Sequence, residues 1–175
     1  MKTLRELFTR LPADGNIRQV LRNFNMAPKA GGRVPSVKDM ALALGFEVER
    51  ISLPFGMAGR LVQDAFSQNG YRIEVNQHQS VRRQRWTVLH EMGHYFLHVD
   101  RNDSLALPKL RDRGDPLYME QERIEEREAD EFAAVLLFAD GALTAAKSLL
   151  GNDLHALARH FGVSEDVIRI ALRQF

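Results

Sequence analysis

The stretch RQRWTVLHEMGHYFLH, Arg83–His98, decides how the rest of the chain is read. It sets His90 and His94 four residues apart, with Glu91 beside the first, in a run that no proline interrupts. Ser80 is a good N-cap, so the pattern predicts one helix from Val81 to about His98. Trp86, Val88, Leu89, Met92, Phe96 and Leu97 surround that helix on most sides, which buries much of it and demands a reason for its polar residues. At about 100 degrees per residue the two histidines lie about 40 degrees apart, one turn above the other, so both imidazoles reach a single ion. Glu91 is displaced to the flank, where it is poorly placed as a ligand and well placed to take a proton from an attacking water. This is the HExxH arrangement of two histidine ligands and a general base. The plainer alternative, two buried core histidines, would require a hydrogen-bond partner for each.

Such a metal needs a third protein ligand. A metzincin-type extension would place glycine at 97 and histidine at 100, but the chain has Leu97 and Asp100. His98 continues the four-residue series, yet it drifts about 80 degrees from His90 and reads as outer support or a helix end. The remaining source is ERIEEREADEFAAVLL, Glu122–Leu137, in which Glu122, Glu125, Glu126, Glu128 and Glu131 compete. Glu126, Asp130, Ala133 and Leu137 fall along one helical stripe, which puts a carboxylate at 126 on the polar edge of the inward face. Asp130, one turn on, can then accept a hydrogen bond from the non-coordinating nitrogen of a ligand histidine. Glu125 and Glu128 stay open as substitutes, since helix phase is read only to within a residue or so.

The whole chain bounds these readings. Its 175 residues suit one domain, with 24 Lys and Arg set against 23 Asp and Glu, so there is no global basic field for nucleic acid. With no cysteine, any metal must be held by His, Asp, Glu and water. The start, MKTLRELFTRLP, does not read as a secretion signal and no segment approaches a membrane span, so a cytoplasmic protein is expected. Short helices are predicted near Thr3–Leu11 and from Asp14, then a loop around Pro28 and Gly31-Gly32. Beyond it, Ser36 caps a helix to about Leu44 that Gly45 ends. FEVERISLP reads as a strand, and GRLVQDAF and GYRIEVN flank a tight turn at Asn69-Gly70. A polar loop leads to a helix start at Asp115-Pro116, and a long helix runs to about Phe138 with Ala129, Phe132, Ala133, Leu136 and Leu137 facing a core. The expected layout is a single domain over 1–175, with N-terminal helices in 1–35 and a helical, helix-turn-helix-like tail in 141–175.

RQRWTVLHEMGHYFLH followed by EREADEFAAVLL resembles the ImmA/IrrE family of HExxH metallopeptidases, whose pattern is an RxRFT-like lead, the zinc helix, and then ExxA(N/D)xFAxxLL. The likeness runs from roughly Gly45 to Leu137. It implies an α+β, zincin-like fold, mostly helical with a small antiparallel-type sheet beside the HExxH helix. It also implies Zn2+ held by His90, His94 and Glu126, with Glu91 as base. The second helix resembles the thermolysin-type ExxxD as well, which favours Glu126 over its neighbours. Two departures leave this chemistry intact: Trp86 stands where Phe is usual, and Phe138-Ala139-Asp140 follows where the family commonly has a proline. Members of the family cut or otherwise relieve a helix-turn-helix repressor encoded beside them, in prophages, mobile elements and bacterial stress responses, so such a repressor is the implied substrate.

The resemblance further assigns an edge strand that would hold the substrate backbone to GYRIEVN, with Arg72, Glu74 and Asn76 on its polar face. An oxyanion donor is sought among Tyr95, Tyr118 and His160. LHALARHFGVSEDVIRIALRQF has helix-turn-helix grammar, but Glu165 and Asp166 open its second helix, where phosphates would lie, so a packing role is expected and no direct nucleic-acid contact. Arg82, Arg83 and Arg85 are expected to neutralise local acid or anchor the start of the zinc helix. The competing function is a binding-only anti-repressor with a structural metal; an intact Glu91 favours the enzyme, because a structural site needs no base.

Overall fold

A computed structural model describes residues 1–13, 15–26, 34–99 and 120–175. The N-terminal helices are α1, Leu4–Arg10, and α2, Gly15–Met26. The first begins where Thr3 Oγ1 accepts the Glu6 N–H at 3.1 Å. Helix α3, Val37–Ala43, starts in the same way, with Ser36 Oγ accepting from Asp39 N at 3.1 Å, and Gly45 at φ 85° releases the chain into the sheet. The expected loop around Pro28 and Gly31-Gly32 and the expected helix start at Asp115-Pro116 lie outside the described residues.

Strands β1, Glu47–Ile51, β2, Gly59–Gln63, and β3, Tyr71–Asn76, form a sheet in the order β1-β3-β2. The expectation of an antiparallel-type sheet holds for β2 and β3 only, since β1 runs parallel to β3 with Val48 opposite Ile73. The order also corrects the expectation that GYRIEVN is an edge. Strand β3 is central, and the alternation that put Tyr71, Ile73 and Val75 in the core cannot by itself reveal which neighbours a strand acquires. The β2–β3 turn is longer than the tight turn expected at Asn69-Gly70. It spans Asp64–Gly70, closed by Asp64 N donating to Gly70 O at 2.8 Å and shaped by the Asp64 carboxylate, which accepts from Phe66 N at 3.0 Å.

Helix α4, Val81–His98, follows the sheet and is capped by Ser80 Oγ accepting from Arg83 N at 3.2 Å. Helix α5, described over Glu120–Phe138, packs along it and carries Ala129, Phe132, Ala133, Leu136 and Leu137 into the core as expected. Helices α1 and α2 lie against α5, where Asn25 Nδ2 donates to Leu136 O at 3.0 Å. The chain closes with α6, Ala142–Leu150, α7, Leu154–Phe161, and α8, Glu165–Gln174. Leu157, Phe161 and Ile168 are fully buried, so the tail belongs to the same core. No single described helix is long and apolar enough to cross a membrane.

Candidate metal centre

The site is built where two helices come unusually close. Gly93, between the two histidines of α4, faces α5 so tightly that a Cβ there would stand 2.9 Å from Ala129 Cα and 3.1 Å from Phe132 Cβ. Ala129 is itself fully buried. Small residues on both helices therefore let the backbones approach, and the polar side chains flanking the contact meet. The opposite flank of α4 is equally close to the sheet: a Cβ on Gly59 would lie 2.3 Å from Thr87 Cγ2 and 2.7 Å from the Glu74 carbonyl oxygen. The zinc-type motif is thus clamped between β2 and α5.

At that crossing His90, His94 and Glu126 offer donor atoms that all lie within 4.8 Å of one another. His90 Nε2 and His94 Nε2 are 3.0 Å apart; Glu126 Oε1 is 3.1 Å from His94 Nε2, and Glu126 Oε2 is 3.4 Å from His90 Nε2. Ligand bonds of 2.0–2.1 Å in a tetrahedron give donor separations of about 3.3 Å, so this triangle fits a zinc-sized ion without rearrangement. Behind it, His90 Nδ1 lies 2.8 Å from Asp130 Oδ1, which leaves Nε2 to face the triangle. Of the five expected positions, His90, His94 and Glu126 lie together, Asp130 lies beside His90, and Glu91 is half-buried.

The electrostatics match a site made for a cation. Burial works to lower the His90 pKa, but the hydrogen bonds to Asp130 and Glu126, helped by the nearby Glu91 charge, prevail and push it up to about 9. Burial acts to raise Glu126, and hydrogen bonds from both histidines overcome it, holding that carboxyl far below the ordinary range.

The other candidates are sorted by their contacts. Glu128 pairs with Arg10 Nη1 at 2.9 Å, and among the described residues only His90, His94 and Glu126 form a metal-compatible group, so the substitutes Glu125 and Glu128 are not in it. Tyr95 is buried, its ring edge-on to Phe46 at 4.8 Å and to Tyr71 at 5.2 Å, which makes it a core residue. His160 sits on α7 with its ring edge-on to Phe161, and Tyr118 lies outside the described residues. On β3, Glu74 and Asn76, expected on the polar face of a substrate-binding strand, are buried. Glu74 receives both Arg60 and Arg72, and Asn76 Nδ2 donates to the carbonyls of Leu53 and Met57. These side chains hold the sheet and its loop together.

Of the two roles expected for Arg85, its contacts are those of an anchor for the metal helix. It is half-buried on α4, donates to the Pro35 carbonyl and, at 3.3 Å, to the Phe161 carbonyl, and covers the Phe24 ring, so it ties three segments to the metal helix. Sequence reading missed Gly93 and Gly59. Glycine inside a helix costs about 1 kcal/mol relative to alanine, so one placed between two ligands was the available signal for a close helix contact.

The peptidase family model described as the IrrE N-terminal-like domain matches residues 45–173. The chain belongs to this family of metallopeptidases. The match takes in the sheet, both site helices and the three C-terminal helices, while α1, α2 and α3 precede it. Among curated proteins none matches at a significant level.

Proposed function

We propose that the protein is a zinc-dependent endopeptidase that cuts a helix-turn-helix transcriptional repressor at one site and so relieves repression. The observation that carries the catalytic part is the convergence of His90 Nε2, His94 Nε2 and one Glu126 carboxylate, beside a Glu91 that a purely structural site would not need. Zinc, when held there, supplies a Lewis acid that polarises the scissile carbonyl and makes water acidic enough to ionise near neutral pH. Glu91 takes the proton as the water oxygen bonds to the carbonyl carbon, then delivers it to the amide nitrogen as the C–N bond breaks. Asp130 fixes the tautomer and tilt of His90, and the core on the far side of α4 keeps both imidazoles in place.

The substrate strand must pair with a sheet edge, and β3 has none to offer. Strand β2 is an edge among the described residues and packs against α4 through Gly59 and Thr87. The bonds Asp64 N to Gly70 O and Asn76 N to Ala58 O set the even-numbered residues of β2 in the hydrogen-bonded pairs. Gly59, Leu61 and Gln63 therefore turn their backbone N–H and C=O groups away from β3, towards an incoming segment. The repressor as substrate rests on the family resemblance. Incubating zinc-loaded protein with a helix-turn-helix repressor encoded beside it tests this reading. One cut, abolished in Glu91→Gln, is expected; an intact repressor alongside rapid many-site digestion of casein would refute the assignment.

A further inference from the structure

The N-terminal helix lies outside the family-matched residues, yet it reaches the metal centre through a chain of side chains. Arg10, at the end of α1, places Nη1 2.9 Å from Glu128 Oε1. The other oxygen of that carboxylate lies 3.7 Å from His98 Nε2, and the His98 ring packs at 5.7 Å, tilted, against the ligand His94. The His98 side chain is only 11% exposed, so its position is set by protein packing and not by solvent. Around them α1 is held to the end of α5, with Leu4 N donating to Asp140 Oδ1 at 3.4 Å. Arg10 also keeps the Glu128 carboxyl below its usual range, in opposition to its partial burial.

The sequence gives this arrangement a purpose. His94 and His98 repeat the four-residue spacing of His90 and His94, and Glu128 is a second carboxylate on the ligand-bearing helix. Left loose, these groups would form a rival half-site one turn further along and compete for the same His94. We propose that Arg10 and Glu128 are positioning residues: by engaging Glu128, Arg10 holds His98 as a fixed wall against His94 and commits the metal to His90, His94 and Glu126. This inference rests on the metal reading above.

Zinc affinity, measured by competition with a chromophoric chelator, and the visible spectrum of the cobalt-substituted protein test it. Removing an outer support of a metal ligand weakens binding on the order of tenfold, and that loss is expected for Arg10→Ala and for Glu128→Gln. The double variant should lose no more than the worse single one, Arg10→Lys should recover most of the affinity, and the cobalt spectrum of Arg10→Ala should differ from wild type. Should Arg10→Ala fail to fold, Glu128→Gln and Arg10→Lys carry the same comparison. Affinities within twofold of wild type, or losses that multiply in the double variant, would overturn the proposal while Glu126→Ala still lost zinc. A wild-type protein unable to hold one zinc would instead overturn the metal reading, and this inference with it.

Discussion

At the scale of single residues the centre depends on two kinds of atom: donors that must be present and a side chain that must be absent. The donors were legible because helical geometry turns sequence spacing directly into distance. His90 and His94 had to share a face, and the stripe through Glu126 and Asp130 had to meet them if the two helices packed together. What spacing could not convey was how close the helices come, because that depends on Gly93 meeting Ala129, a residue distant in the chain. Gly93→Ala should therefore push α5 outward, costing about 1–3 kcal/mol in urea unfolding of the metal-free protein and weakening zinc binding as well. Unchanged stability would mean that the crossing tolerates a methyl group. Asp130→Ala should leave the fold intact but reduce zinc affinity on the order of tenfold, since His90 loses the partner that orients it. Competition against a chelator measures this, and wild-type affinity would show that the hydrogen bond to Asp130 has no role in metal binding.

At the scale of elements the capped helices were readable and the sheet order was not. Thr3, Ser36 and Ser80 each accept a backbone N–H at the start of the helix they were expected to begin or, for Thr3, to belong to, because a cap is a contact over three residues. Strand order depends on long-range pairing, and the buried alternation of Tyr71, Ile73 and Val75 suits a central strand as well as an edge. Its placement moves the expected substrate contact from β3 to β2. Gln63→Pro removes an N–H of β2 that faces away from β3, so repressor cleavage should slow while zinc content holds. Cleavage at the wild-type rate would argue against β2 as the docking edge.

For the molecule as a whole, the helical tail is part of the peptidase framework. Phe161, Val163 and Ile168 are fully buried, Arg85 reaches from α4 to the Phe161 carbonyl, and a Cβ on Gly162, at φ 67°, would stand 2.9 Å from Val34 and 3.1 Å from Arg85. The leading turn of α8 uses Glu165 and Asp166 to hold Arg169, with Asp166 Oδ1 2.6 Å from its Nη1. That leaves the would-be recognition helix acidic where phosphates would lie, and fluorescence anisotropy should detect no salt-dependent binding to duplex DNA; a steep salt slope would contradict the packing role. The helix-turn-helix grammar was visible in the sequence, but Arg85 as its anchor was not, because nothing local distinguishes an arginine that reaches the Phe161 carbonyl from its neighbours Arg82 and Arg83.

The most direct test of the metal centre is elemental analysis of protein purified without added metal, run on wild type, Glu91→Gln, and alanine variants of His90, His94 and Glu126. One zinc per chain is predicted in wild type and Glu91→Gln, with loss in the three alanine variants. Full retention in Glu126→Ala, or a different metal in the wild-type protein, would contradict it.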